Sequence, residues 1–137
     1  MASNGTMSSR LVLDPTCVAN DAAAKMTEFH AETLREVQGT VARDRVVVVG
    51  MAQNPHVKNV RKALKEAKIE FTYLEYGNYF SEWRKRLAIK MWSGWPTFPQ
   101  VFVQGRLIGG EELTKAALAS GVLKGAGIDV PAVPSRA

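Results

Sequence analysis

Sulfur chemistry is scarce in this sequence: there is one cysteine, Cys17, in 137 residues. A single cysteine excludes an intramolecular disulfide, a vicinal dithiol and any multi-cysteine metal site within one chain. The two histidines, His30 and His56, do not combine with it into a recognisable zinc spacing, so no metal ligand set is expected. Long apolar runs are also missing. The longest, Val46 to Val49, is the length of a strand, and nothing resembles a transmembrane span, so no membrane partner is expected. The opening MASNGTMSSR has no apolar signal segment, and Arg10 and Asp14 make a poor transit peptide. The expected location is cytoplasmic. The net charge of +5 favours anionic partners in general terms. Nucleic-acid binding would want a larger basic excess with exposed aromatics, and it is not expected.

The chain has the length of one domain, and nearly half of its residues are apolar. Three regions are expected: a flexible N-terminal segment over 1–13, a folded domain over 14–124 that includes an N-terminal helix, and a C-terminal tail over 125–137. Asp14-Pro15 reads as a helix start, with the Asp capping and the Pro at the first helical position. Met26, Phe29, His30, Leu34, Val37 and Val41 follow at helical spacing, so one helix is predicted from there to about Thr40, with His30 packed on its apolar side. Arg45 to Gly50 reads as a buried strand. Pro55 opens a second helix whose Val57, Val60, Leu64 and Ala67 share a face.

Ile69, Phe71 and Tyr73 alternate with polar residues and predict a strand ending before Gly77-Asn78. Phe80, Trp83, Leu87 and Met91 predict a third helix with these residues at core spacing. Gln100 to Val103 and Arg106 to Ile108 are strands joined by a tight turn at Gln104-Gly105. Glu111 to Ala119 is a last helix, closed by Ser120-Gly121. The order mixes crossover units with a closing hairpin. It implies an α/β domain, a four-stranded mixed sheet with helices on both faces.

One segment is more specific than periodicity. Ser93-Gly94-Trp95-Pro96-Thr97-Phe98-Pro99-Gln100-Val101-Phe102, followed by Gly105 and Gly109-Gly110, resembles the second half of a glutaredoxin. The similarity is to the monothiol class whose active site reads Cys-Gly-Phe-Ser, and Arg86, Ile89 and Lys90 match residues that precede the segment in that class. The resemblance covers roughly residues 30 to 124 and implies a thioredoxin-like fold. It also implies a cis peptide at Phe98–Pro99, with the Phe98 backbone facing a glutathione groove. The γ-glutamyl end of glutathione would lie at Gly109-Gly110 and the following helix, where free N–H groups and a positive dipole end favour a carboxylate. Glu111 and Glu112 crowd that end with negative charge, although acidic residues in a first turn are also ordinary helix support.

The resemblance fails at the reactive centre. The family cysteine falls on Asn54 in Gln53-Asn54-Pro55-His56-Val57-Lys58, and the second cysteine or serine position falls on Val57. The Lys that relatives place before the cysteine has no match in Gly50-Met51-Ala52-Gln53. The chemistry of the family needs a thiolate, whose pKa a helix N-terminus lowers. Asn has no ionisable proton, but it is a favoured N-cap, and Asn-Pro is good capping chemistry on its own. His56 is an exposed helix-start residue on one reading and a ligand contact on the other.

A redox-inactive binding module follows as the first expectation, with no catalytic residue. Its candidate groove comprises Asn54, His56, Arg86, Lys90, Thr97, Phe98, Pro99, Gly109, Gly110, Glu111 and Glu112. A protein, a peptide or weakly bound glutathione is its expected partner, and an iron–sulfur cluster is not expected. The alternative is a glutathione-dependent oxidoreductase or iron–sulfur carrier that uses Cys17 or an intermolecular site. The sequence assigns no oligomeric state.

Overall fold

The computed structural model describes residues 10–124 and 127–128. The flexible segment expected at the N-terminus lies outside the described residues up to position 9, as does most of the tail expected from 125 onward. The chain divides into two compact units, one holding the residues up to Phe29 and the other His30–Val130.

In the first unit Asp14 caps a short 3-10 turn, Pro15–Cys17, accepting from the Thr16 backbone N–H at 2.9 Å. Helix α1 follows over Asn20–Glu28 and buries no side chain. The single long helix expected here is therefore interrupted. His30 adopts a left-handed conformation, φ 49, and precedes a new helix, α2, Ala31–Arg43, which runs three residues past the expected end at Thr40. The reason is local: the left-handed His30 gives the second helix its own start, and Val37 and Val41 of that helix are buried in the core of the second unit.

The second unit is built on β1, Val46–Gly50, followed by α3, Pro55–Glu66, β2, Thr72–Glu75, α4, Trp83–Ser93, β3, Gln100–Val103, β4, Arg106–Gly109, and α5, Glu111–Ser120. The sheet order is β2-β1-β3-β4. β1 runs parallel to β2 and antiparallel to β3, and β3–β4 is a hairpin. This is the predicted four-stranded mixed sheet. β1 is buried along its whole length because both of its faces are covered, which is why it reads as a continuous valine run and not as an alternating one. Val47 and Val49 pack with Val37 and Val41 of α2, Ile89 of α4, and Phe102. Val46 and Val48 pack with Val60 and Leu64 of α3, Val101, Val103 and Leu123, with Ala117 and Leu118 of α5 against them.

Two elements depart from the periodic reading. β2 starts at Thr72 because the α3 exit consumes the preceding residues: Lys68 is left-handed, φ 60, and the Ile69 N–H donates to the Leu64 carbonyl at 3.0 Å. The larger departure is α4. Its predicted core stripe is turned outward, with Phe80, Trp83, Leu87 and Met91 all exposed, while Arg86, Ala88 and Ile89 are buried. Arg86 sets that rotation. Its guanidinium donates to the Tyr76 carbonyl at 2.9 Å and the Ser81 carbonyl at 2.6 Å, tying the helix to the turn before it. The turn needs glycine at position 77, where φ is +68 and a Cβ would lie 2.4 Å from the Ser81 oxygen.

The last helix closes at Ser120-Gly121 as expected, and the chain stays structured beyond it to Gly127–Ile128, past the expected domain end at 124. Leu123 is buried, and β5, Leu123–Lys124, pairs antiparallel with β6, Gly127–Ile128. No helix among the described residues is long and apolar enough to cross a membrane.

Candidate functional site

Three chain segments converge at one end of the sheet: the start of α3 after β1, the loop before β3, and the start of α5 after β4. Asn54 is the N-cap of α3, with φ −91 and ψ 119, and its Oδ1 accepts from the His56 N–H at 2.8 Å and the Val57 N–H at 3.1 Å. These are two of the first-turn donors that a helix cannot satisfy internally. In a thiol enzyme such donors are what stabilise a thiolate at the helix start. Here they are already satisfied by an amide oxygen that cannot ionise.

The loop Trp95 to Pro99 forms the facing wall. The Phe98–Pro99 bond is cis, and both residues are buried while Thr97 is exposed. Gln100 is fully buried and donates through Nε2 to the Trp95 carbonyl at 3.0 Å, bracing the loop from below. Lys90 of α4 reaches the same loop, with Nζ 5.6 Å from the centre of the Phe98 ring. The Trp95 indole Nε1 is buried without an acceptor among the described residues.

The α5 start closes the site. Gly109 holds φ +125, a conformation that L side chains rarely adopt, and a Cβ there would press on the Leu113 side chain. Gly110 is the N-cap and supplies no side-chain capping bond, so the first N–H groups of α5 stay open to an external acceptor. A Cβ on Gly110 would sit 3.3 Å from the Pro99 carbonyl oxygen and 3.4 Å from Trp95 Nε1, which shows how closely this backbone meets the cis-proline loop.

Glu111 behaves differently from the sequence expectation of two repelling carboxylates. Its Oε2 pairs with Lys115 Nζ at 2.8 Å and its Oε1 contacts His56 Nδ1 at 2.7 Å. These bonds, Lys115 first and His56 second, hold its pKa down to about 2. The carboxylate is thus compensated, and through His56 it links the starts of α3 and α5. Glu112 remains exposed.

The structure brings together Asn54, His56, Lys90, Phe98, Pro99, Gly109, Gly110 and Glu111. It removes Arg86 from the candidate groove: the side chain is buried and holds the Tyr76–Ser81 turn. Cys17 is exposed and lies in the first unit. No group of three or more His, Cys, Asp or Glu side chains among the described residues is arranged to hold a metal ion. Sequence reasoning missed Lys115 and Trp95 as parts of this site. The i,i+4 spacing of Glu111 and Lys115 was a readable signal for the first, whereas the second depends on the loop path. A separate cleft of about 460 Å³, lined by Gln38, Val41, Trp92, Phe102 and Leu107 among others, contains none of the predicted site residues.

A parallel and antiparallel four-stranded sheet, helices on both faces and a cis-proline loop opposite a helix start define a thioredoxin-like protein. Solved structures agree. Oxidized glutaredoxin 2 from Chlamydomonas reinhardtii matches at a TM-score of 0.58 and 28% identity, over 66% of this chain and 86% of that one. A wheat glutaredoxin matches at 0.57 and 27%, over 65% and 84%. A family model described as glutaredoxin matches residues 46–108. A glutaredoxin-like protein from Dictyostelium discoideum is 52% identical over 98 residues, covering 72% of this chain and 80% of that protein. This chain belongs to the glutaredoxin family. Monothiol glutaredoxin-S17 of Arabidopsis thaliana is also similar, 35% identical over 80 residues, but the match covers 56% of this chain and only 16% of that protein.

Proposed function

We propose that this chain is a glutaredoxin-family binding module without thiol chemistry at the family site. Its groove between Asn54, Phe98–Pro99 and Gly109–Gly110 takes an extended peptide, either glutathione or a segment of a protein partner. The observation that carries this reading is the Asn54 cap. The helix-start donors that would stabilise a reactive thiolate are bonded to Asn54 Oδ1 at 2.8 and 3.1 Å, and no group at that point can ionise. An iron–sulfur cluster does not fit there either, because Asn54 offers neither the thiolate nor the imidazole that holds cluster iron.

The groove keeps means of recognition: backbone beside a cis-proline, uncapped N–H groups at the α5 start, and the Lys90 ammonium. The cation that relatives place before the cysteine is absent, and Arg86 is engaged in the fold. A lost charge-assisted hydrogen bond is worth roughly 1.5–3 kcal/mol, or about a tenfold to hundredfold loss in affinity. Glutathione binding is therefore expected no tighter than the millimolar range. Calorimetric titration at moderate salt measures this, together with an assay for reduction of a glutathione mixed disulfide, which is expected to stay at background. Micromolar glutathione binding would make glutathione the resident ligand.

The exposure of Cys17 supports a second reading, a glutathione-dependent oxidoreductase or cluster carrier of the monothiol type. Exchange activity lost only in a Cys17→Ser variant, or a visible cluster spectrum in freshly purified protein, would favour it.

A further inference from the structure

Helix α3 concentrates the charge of the molecule. Over residues 55–68 Lys58, Arg61, Lys62, Lys65 and Lys68 face Glu66 alone, which leaves +4 of the chain's +5 in this one stretch. Lys58, Lys62 and Lys65 fall within about 60° of one another at 3.6 residues per turn. All three are exposed, while Val57, Val60 and Leu64 of the same helix are buried. The row is about 10 Å long at 1.5 Å per residue. Arg61 borders it, with its guanidinium 3.9 Å from the centre of the Tyr73 ring. None of these four cations pairs with a carboxylate among the described residues.

Helix support does not explain the row. Like charges three and four residues apart repel along a helix, and Lys58 stands near the positive end of the dipole. The rest of the chain cannot neutralise it. Residues 1–29 set Asp14, Asp21 and Glu28 against Arg10 and Lys25, a net −1, and residues 125–137 set Asp129 against Arg136. Asp14 moreover already accepts from Thr16. A second copy would bring the same cationic row against itself. The counter-charge therefore belongs to another molecule.

The surroundings of the row select its kind. Lodging in a lipid surface needs large apolar side chains beside the cations, and α3 exposes none. Nucleic acid is held by aromatics that share the cationic face. Here the exposed Trp83 belongs to α4, which packs on the opposite face of the sheet from α3. Glu66 is exposed at the end of the row, so the complement is a short run of carboxylates and not a uniform polyanion. We propose that α3 docks an acidic helical segment of another protein, whose carboxylates at i, i+4 and i+7 meet Lys58, Lys62 and Lys65. This surface does not rest on the groove reading, and the failure of either leaves the other standing.

The test uses the full chain and a fluorescent twelve-residue helical peptide with glutamates at i, i+4 and i+7. A counterpart of the same composition spreads the glutamates around the helix. Anisotropy titration is expected to show at least tenfold tighter binding of the first peptide. At least a tenfold loss is expected in a Lys62→Glu, Lys65→Glu double variant, and no change in Arg84→Glu on the other side of the sheet. Both lysines are exposed, so the double variant is expected to melt no lower than the parent. Equal binding of the two peptides, no binding up to millimolar concentration, or an equal loss in Arg84→Glu overturns the proposal. So does tighter Lys62-dependent binding to single-stranded oligothymidylate or to phosphatidylserine vesicles than to the peptide. A tenfold gain on neutralising Asp14, Asp21 and Glu28 together would show the chain covering its own row, and also overturns it.

Discussion

At the scale of single residues, Asn54 caps α3 with an amide that cannot ionise. An N-cap asparagine satisfies two orphan donors, and replacing such a cap with alanine costs about 1 kcal/mol. Asn54→Ala is expected to lower stability by that amount in a denaturant melt. Asn54→Cys places a thiol where the His56 and Val57 N–H groups can stabilise its anion. Its pKa is then expected below the ordinary thiol value of about 8.5, and reduction of a glutathione mixed disulfide is expected to rise above background. An Asn54→Cys variant that stays inert would show that the rest of the site, and not the missing sulfur alone, has left the chemistry behind.

Glu111 titrates on the same scale. Lys115 and His56 depress its folded-state pKa to about 2, against an ordinary 4.5. A depressed carboxylate contributes stability that is fully present above about pH 4.5 and lost as pH falls toward 2. The stability advantage of the parent over Glu111→Gln, read from melts at pH 7, 4 and 2.5, is expected to be largest at pH 7 and to close toward pH 2.

At the scale of elements, α4 and the turn before it act as one piece. Arg86 holds the Tyr76 and Ser81 carbonyls, and the Tyr76 hydroxyl in turn donates to Glu36 of α2. Burial first, and the Glu36 bond second, push the Tyr76 phenol up. Arg86→Met keeps the apolar stem but leaves two carbonyls without their donor, at about 1–3 kcal/mol for each group left unsatisfied. The melting temperature is expected to fall. Hydrogen exchange is expected to rise most across the Tyr76–Ser81 turn, the segment whose carbonyls lose their anchor.

At the scale of the whole molecule, β1 is the wall that both cores share, with α2 and α4 on one face and α3 and α5 on the other. A large truncation on either side therefore acts on the entire second unit. Leu64→Ala removes a fully buried side chain from the α3 side and is expected to cost about 2–5 kcal/mol in a two-state denaturant melt. The Trp83, Leu87 and Met91 side chains of α4 lie outside both cores, and substitutions there are expected to leave the melt unaltered.

The sequence by itself determined that there is a four-stranded mixed sheet and the order of its strands along the chain, because each strand signals itself through local spacing: the Val46–Val49 run, the Asn54-Pro55 helix start after it, the hairpin turn at Gln104-Gly105. It also determined the absence of a thiol at the site, which is a matter of residue type alone. Tertiary structure decided what spacing leaves ambiguous. Periodicity shows that Phe80, Trp83, Leu87 and Met91 share a face, but a helix with arginines and lysines on several sides has no unique inward direction. Buried hydrogen bonds from Arg86 fixed that direction against the apolar count. The pairing of Glu111 with His56 joins residues 55 positions apart, and only the packing of α3 beside α5 brings them within reach. The break at His30 belongs to the same class, since helical spacing in the sequence continues through a position where a single left-handed residue ends one helix and precedes the next.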